Sequence, residues 1–274
     1  MNFIIRKLKY SLLLVLLTIQ ANCYFNPFVQ SILVSDPKED SSILLGLPLL
    51  GGLTPSPFAI SITGQIRDET GAAVPNATLT VASRSNGLDG LDSSATTDSG
   101  GRFFIHLSTG STTFTVTKGG SSYFSFTLLV SSPLDIRVTE IKDNSSLVEV
   151  SSFFAYEPGN QPSFFELTDS GPKNNAYVEN APSMLSFYFS DIILLPEDEV
   201  PYSTWFSENI LITPPVSVES VSIQGQSLHG MPDGFVNETT YTISLGPGIR
   251  SQSGIPLTPR TISFTCGSSC GLPP

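Results

Sequence analysis

The side chains that most often carry catalysis are few in this sequence. It has two histidines, His106 and His229, and three cysteines, Cys23, Cys266 and Cys270. A serine or cysteine nucleophile needs a base, usually histidine, and a third group that orients the base. His106 lies in a predicted strand, at a position expected to face solvent, and His229 lies in a predicted turn. The sequence therefore predicts no catalytic residue, and a protein that is not an enzyme.

The acidic side chains form two groups that could supply oxygen ligands to calcium. One is the set Asp89, Asp92 and Asp98, and the other is the acidic run at 197–199. Neither has the spacing of an EF-hand loop. Consecutive acids on a loop usually form a solvated surface. The sequence predicts no metal site and no cofactor, and structural calcium remains the alternative.

Cys266 and Cys270 are close together near the end of the chain. Zinc is disfavoured because neither histidine is near them in sequence. In an oxidising envelope the two could form a small disulfide that pins the C-terminal tail to the last strand. Free thiols remain the alternative.

The N-terminus has the pattern of an export signal. Arg6, Lys7 and Lys9 precede an apolar stretch at 10–19, which is too short to span a bilayer. The stretch ends at Gln20-Ala21-Asn22-Cys23. Residues 1–22 are therefore predicted to be a signal peptide.

A cysteine at this position resembles the lipobox of bacterial lipoproteins, in the relaxed form found in spirochaetes. The resemblance implies that Cys23 carries a diacylglycerol thioether and an N-linked acyl chain, such as palmitate. More than one acyl chain gives stable anchoring. Cleavage before Cys23 would change the net charge from −11 to −14, so anionic lipids would repel the protein and the acyl chains must hold it at the membrane. An ordinary secretory signal is the alternative.

Residues 23–57 are predicted to be a lipidated tether, because Pro48, Pro55 and Pro57 oppose regular structure. Residues 58–131 contain short alternating strands separated by turn signals, as in a β-sandwich. This block resembles the carboxypeptidase regulatory-like domain, a transthyretin-like sandwich that implies a non-catalytic accessory role. The motifs that carry the resemblance are Gly64-Gln65-Ile66-Arg67-Asp68 with Gly71 and Val74-Pro75-Asn76-Ala77, then Thr97-Asp98-Ser99-Gly100-Gly101-Arg102-Phe103, and Phe114-Thr115-Val116.

Residues 132–180 are predicted to be a linker with additional strands that contains the domain boundary. Residues 181–266 form a second β-rich block, and 267–274 form a tail. The closing half of the second block resembles a bacterial Ig-like domain through Tyr241-Thr242-Ile243-Ser244-Leu245, Gly248-Ile249, Ser251, Gly254, Leu257 and Phe264-Thr265. Tyr202, Trp205 and Phe206 lie in an insertion of this block, where they either pack over the sandwich or form a contact patch.

Composition narrows the function classes. Charged residues are 14% of the chain and its net charge is −11, so a nucleic-acid partner is disfavoured because phosphate contacts need a basic face. The fold class predicted is all-β, with two β-sandwich domains in series. The function predicted is that of a lipid-anchored protein of the bacterial cell envelope, in the outer membrane, which acts as an adhesin-like binder of a protein ligand. An accessory lipoprotein facing the periplasm is the alternative, and an envelope hydrolase is the weakest hypothesis.

Overall fold

Two β-sandwiches follow one another in the computed structural model, which describes residues 56–144, 147–196 and 199–271. The predicted signal peptide, Cys23 and nearly all of the tether lie outside these residues. The all-β sandwich class predicted from the strand pattern is confirmed. No helix in the described part of the chain is long and apolar enough to cross a membrane.

The first sandwich consists of a three-stranded sheet and a five-stranded sheet. The strand order is β4-β1-β8 in the smaller sheet and β3-β2-β5-β6-β7 in the larger one. Neighbouring strands are antiparallel in both sheets. The strands are β1 (Ala59–Asp68), β2 (Thr78–Arg84), β3 (Ser94–Thr96), β4 (Arg102–Ser108), β5 (Gly110–Lys118), β6 (Ser121–Ser132), β7 (Asp135–Lys142) and β8 (Val148–Tyr156).

Alternation along the strands builds the first core. In β6, Phe124, Phe126 and Leu128 are buried while the residues between them are half-exposed. The rings of Phe114 and Phe126 stack with their centroids 5.0 Å apart. Gly64 is required in the centre of β1, because a Cβ there would lie 2.6 Å from the ring of Phe103.

A tight turn leads into β4. The Asp98 carboxylate accepts hydrogen bonds from the backbone N–H groups of Gly100, at 2.8 Å, and Arg102, at 2.9 Å. Gly101 adopts a φ of 73°, a conformation that side-chain-bearing residues rarely adopt. Asp98 therefore caps this turn, and the positive φ accounts for the glycine at position 101.

The second sandwich consists of two four-stranded sheets and a short helix. The strand orders are β10-β16-β15-β12 and β13-β14-β11-β9, and the β10–β16 pair is parallel. Its elements are β9 (Leu167–Gly171), β10 (Ala176–Asn180), β11 (Leu185–Phe189), α1 (Tyr202–Asn209), β12 (Ile210–Thr213), β13 (Ser217–Gln224), β14 (Ser227–Asp233), β15 (Thr240–Leu245) and β16 (Arg260–Ser269).

The second core is separate from the first. Tyr241, Ile243 and Leu245 of β15 alternate inward and face buried residues of β11 such as Phe187. Phe206 is the buried residue of α1 and packs into this core. Both cores belong to one compact unit.

The stretch predicted as a linker supplies strands to both sandwiches. β7 pairs with β6, and β8 pairs with β1, so both complete the first sandwich. β9 pairs with β11 in the second sandwich. The chain passes from one core to the other between Tyr156 and Leu167.

Candidate functional site

The outer face of the β4-β1-β8 sheet carries the candidate site. Successive side chains of a strand point to opposite faces, so Ser61, Thr63 and Gln65 lie on this face, opposite the core residues Ile60 and Ile62. All three are buried beneath their neighbours. Residues paired across antiparallel strands share a face. The β1 residues therefore lie in three cross-strand rows, which are His106–Ser61–Tyr156, Phe104–Thr63–Phe154 and Arg102–Gln65–Ser151.

Four aromatic rings gather over these rows. We call Phe104, Phe154, Tyr156 and Phe164 the aromatic face. Phe104 contacts Tyr156 edge-on with ring centroids 6.0 Å apart, and Phe154 lies 6.0 Å from Phe164. Phe154 is 51% exposed, although it is large and apolar. The other three rings are half-buried. Exposed aromatic side chains are a common feature of contact surfaces.

A cavity of about 560 Å³ opens beside the aromatic face. Ser61 and His106 meet in it, with Ser61 Oγ and His106 Nδ1 3.0 Å apart. The Asp92 carboxylate accepts a hydrogen bond from the backbone N–H of His106 at 2.7 Å. The residues that line the cavity are Ser61, Gly90, Asp92, His106, Tyr156, Pro158, Gly159 and Gln161.

The electrostatics of this cavity are set by a carboxylate. Partial burial, together with the negative charge of Asp92, raises the pKa of Tyr156 above its ordinary value, while a hydrogen bond with Ser61 opposes the shift. The phenol of Tyr156 therefore stays neutral and keeps its hydrogen at physiological pH. The cavity presents an aromatic ring, hydrogen-bonding groups and a negative charge.

The pairing of serine with histidine recurs in the second sandwich. His229 lies within β14 and not in a turn, so that part of the sequence prediction is wrong; Gly230 is a strand residue there. His229 Nδ1 lies 3.1 Å from Ser186 Oγ on the neighbouring strand. In the first sandwich, Asp92 binds the backbone of His106 and not its ring. Within the described residues, neither histidine thus has a carboxylate hydrogen-bonded to its ring, the arrangement on which a triad depends.

A buried cluster of charges joins the two sandwiches. Glu166, which precedes β9, is 2% exposed. Its Oε1 accepts hydrogen bonds from Arg102 Nε at 2.7 Å and from Thr258 Oγ1 at 3.0 Å. Its Oε2 lies 3.6 Å from Arg67 Nη2. Because both arginines belong to the first sandwich, Glu166 connects the two cores.

Arg102 also connects this cluster to the aromatic face. Its guanidinium carbon lies 3.7 Å from the centroid of the Phe164 ring and 5.8 Å from that of Phe154. Its Nη1 donates to the carbonyl of Ser152 at 3.0 Å. Its Nη2 has no hydrogen-bond partner in the part of the chain that the structure describes.

A more exposed ion pair flanks the cluster. Arg260 Nη2 of β16 lies 3.3 Å from Glu149 Oε2 of β8. Burial alone raises the pKa of Glu149, but hydrogen bonds from Ser151 and Arg260 and the nearby positive charges bring it below its ordinary value of 4.5. Burial, reinforced by the charge of Arg260, lowers the pKa of Arg67 to about 10.

Main-chain hydrogen bonds also cross the junction between the sandwiches. The N–H of Ala73 donates to the carbonyl of Thr168 at 2.7 Å, and the N–H of Asn174 donates to the carbonyl of Thr70 at 3.1 Å. Together with the charge cluster, these bonds hold the two sandwiches in one arrangement.

The remaining sequence-predicted residues lie away from the aromatic face. Cys266 and Cys270 are joined by a disulfide and are buried in the second core. Of the aromatic residues in the insertion, Phe206 is buried and Trp205 packs partly against the core. Tyr202 is 38% exposed. The lipidation residue, Cys23, lies outside the described residues.

The acidic groups considered for calcium have separate contacts. Asp98 caps the turn before β4, and Asp92 binds the backbone of His106. Within 56–144, 147–196 and 199–271, no three histidine, cysteine or acidic side chains come together as a metal-binding group. Residues 197 and 198 of the second acidic run lie outside these ranges.

Sequence reasoning missed both the aromatic face and the charge cluster. It identified the strand containing Phe104 and His106, but not their partners on β8. The available signal was the alternation of the polar residues Ser61, Thr63 and Gln65 with isoleucine and glycine, because it marks a second, polar face of β1.

The comparison with known families supports the prediction for the first sandwich. A family model described as carboxypeptidase regulatory-like domain matches residues 61–139, which run from β1 into β7. The match covers 79 of the 274 residues, and domains of this kind are generally non-catalytic. No curated protein matches the chain. The resemblance of the first sandwich to the carboxypeptidase regulatory-like domain is thus confirmed, while Phe154, Tyr156 and Phe164 of the aromatic face lie beyond the matched region.

Proposed function

We propose that this protein is a lipid-anchored protein of the bacterial cell envelope with a non-catalytic binding role, and that the aromatic face is its contact surface. The lipid on Cys23 anchors the chain at the outer membrane, and the tether extends the sandwiches away from it. The protein acts as an adhesin-like binder of a protein ligand. The second sandwich, with its Ig-like closing motifs, supports the first.

The observation that carries this proposal is the exposed ring of Phe154, which lies among three half-buried rings beside a cavity. Phe154 is 51% exposed, and Phe104, Tyr156 and Phe164 surround it without being buried. Large aromatic side chains dominate the energetics of protein contacts. Two rigid sandwiches that are joined by a buried ion cluster present such a surface at little entropic cost.

The lipid anchor has its own test. Cells that express the wild-type protein are grown with radiolabelled palmitate, and the purified protein is examined for label. We expect label on the wild type and none on Cys23→Ser, which cannot form the thioether. Equal labelling of the two proteins would contradict the lipid anchor.

The location and the binding role are tested on cells and with purified protein. Protease treatment of intact cells should remove the sandwiches if they face outward, whereas digestion only after permeabilisation would favour the periplasmic accessory role. Purified host matrix and plasma proteins are then tested for binding to the wild type and to Phe154→Ser. Tyr177→Ser is the matched control, because Tyr177 is an aromatic side chain of the second sandwich that is 60% exposed. If Phe154→Ser and Tyr177→Ser weaken binding equally, the aromatic face is not the contact surface.

A further inference from the structure

The cavity beside the aromatic face has features that select one kind of ligand group. We infer that it receives a basic side chain, arginine or lysine, from a protein partner. This inference rests on the proposed binding function and names the chemistry of the partner. The cavity has a volume of about 560 Å³ and is open to solvent, so a side chain of a partner can reach it.

The cavity carries a negative charge. Asp92 is an exposed carboxylate, and none of the residues lining the cavity is lysine or arginine. Among the described residues, Asp92 forms no ion pair. The nearby Arg84 donates to the backbone carbonyl of Asp92 and not to its carboxylate. A cationic group entering the cavity therefore meets a negative charge that is free to pair with it.

An aromatic ring lines the cavity. Cations are attracted to the faces of aromatic rings within about 6 Å of the centroid. Tyr156 lines the cavity, and Phe104 supports it edge-on. Adjacent rings of the same aromatic face already hold a guanidinium, because Arg102 lies 3.7 Å from the centroid of Phe164. A guanidinium packed on a ring of this face is thus already present in the protein itself.

The charge of Arg102 itself does not oppose a second cation in the cavity. Arg102 pairs with Glu166 at 2.7 Å, and its cross-strand row is separated from the His106 row by the row that contains Thr63. In the cavity, burial and the negative charge of Asp92 together raise the pKa of Tyr156. The cavity that contains Asp92 and the site of Arg102 therefore lie at different parts of the outer face of the sheet.

The charge of the whole chain points to the same class of partner. Its net charge is −11, and a protein of this charge attracts basic surfaces and repels acidic ones during encounter. A neutral glycan would also stack on Tyr156, but it would not depend on the charge of Asp92. That difference separates the two kinds of ligand in an experiment.

The experiment uses surface plasmon resonance with the purified full-length protein. The immobilised probes are 15-residue peptides of one sequence whose central residue is arginine, lysine, citrulline or norleucine, with neutral oligosaccharides on a separate channel. Citrulline keeps the shape of arginine and removes its charge. We expect the arginine and lysine peptides to bind about tenfold more tightly than the citrulline and norleucine peptides.

Two variants connect this preference to the cavity. Asp92→Asn keeps an oxygen that can accept the His106 N–H, so the fold is retained while the charge is lost, and we expect it to abolish the preference for arginine over citrulline. Asp89→Asn is the matched control, because Asp89 is an exposed acid of the same loop that does not line the cavity. It should leave the preference unchanged.

Three results would overturn the inference. These are equal binding of the arginine and citrulline peptides, binding to none of the peptides, and a preference for arginine that survives Asp92→Asn. Binding of an oligosaccharide that depends on Tyr156, as shown with Tyr156→Leu, would replace the basic side chain with a glycan. In each case, host-protein binding that Phe154→Ser specifically weakens would show that the proposed function stands while the cationic ligand does not.

Discussion

Replacement of Glu166 with glutamine tests the reasoning about how the two sandwiches are joined. Glu166→Gln keeps an oxygen that can accept the hydrogen bonds of Arg102 Nε and Thr258 Oγ1, and it removes only the negative charge. The side chains of Arg67 and Arg102 are 2% and 0% exposed. The variant therefore leaves two buried guanidinium groups without the carboxylate that compensates them.

The expected cost follows from this burial. Breaking a buried ion pair by removing one partner costs about 3–5 kcal/mol, because an uncompensated charge remains in a medium of low polarity. A domain is typically stable by only about 5–15 kcal/mol. Glu166→Gln should therefore remove a large share of the free energy of unfolding. It should also weaken the coupling between the two cores.

The assay is urea unfolding followed by two signals. The single tryptophan of the chain, Trp205, packs against the second core, so its fluorescence reports on the second sandwich. Far-UV circular dichroism reports on both. The wild type should give coincident transitions, as expected for cooperative unfolding. Glu166→Gln should lower the midpoint and separate the two signals.

The control is Asp169→Asn, which removes an exposed ion pair with Lys173 and should cost less than about 1 kcal/mol. A triple variant, Arg67→Met with Arg102→Met and Glu166→Leu, replaces the whole charge cluster by apolar groups and should recover most of the lost stability. If Glu166→Gln costs no more than Asp169→Asn, or if the two signals stay coincident at an unchanged midpoint, the charge cluster does not couple the two sandwiches.

Three further predictions concern single positions. Gly101→Ala should lower the free energy of unfolding by about 1–3 kcal/mol in urea melts, because φ is positive there and the new Cβ would lie 2.5 Å from the Ile66 carbonyl oxygen; an unchanged midpoint would contradict this. The folded-state pKa of Glu149 lies below 4.5, so its stabilising contribution is complete above the ordinary pKa and is lost as the pH falls through the folded value. The difference in unfolding free energy between wild type and Glu149→Gln should therefore be constant near neutral pH and shrink in acid, whereas a pH-independent difference would refute the assignment. Asp92→Asn should lower the pKa of Tyr156, measured by NMR of ring-labelled tyrosine. An unchanged pKa would show that the Asp92 carboxylate is too far from Tyr156 to affect its titration.

Local patterns made much of the fold predictable. The run Phe103–Leu107 alternates between buried and half-exposed residues and is observed within β4. The turn before it was predictable from Asp98 and the glycines that follow, since a capping carboxylate and a positive φ are local requirements. The turn predicted at His229 is wrong, because the glycine that follows it favours a turn locally although both residues lie in β14. Gly230 is instead in a strand where a Cβ would lie 3.2 Å from the ring of Phe206.

The sequence by itself determined the strands, the turns and the likeness of the first sandwich to the carboxypeptidase regulatory-like domain, because these depend on neighbours within a few residues. Only the tertiary structure brought Phe154 and Tyr156 beside Phe104, and Glu166 between Arg67 and Arg102. Those contacts depend on which strands pair and on how one sandwich docks on the other. A buried carboxylate and an exposed aromatic ring have no local signature, since burial is decided by residues that are distant along the chain.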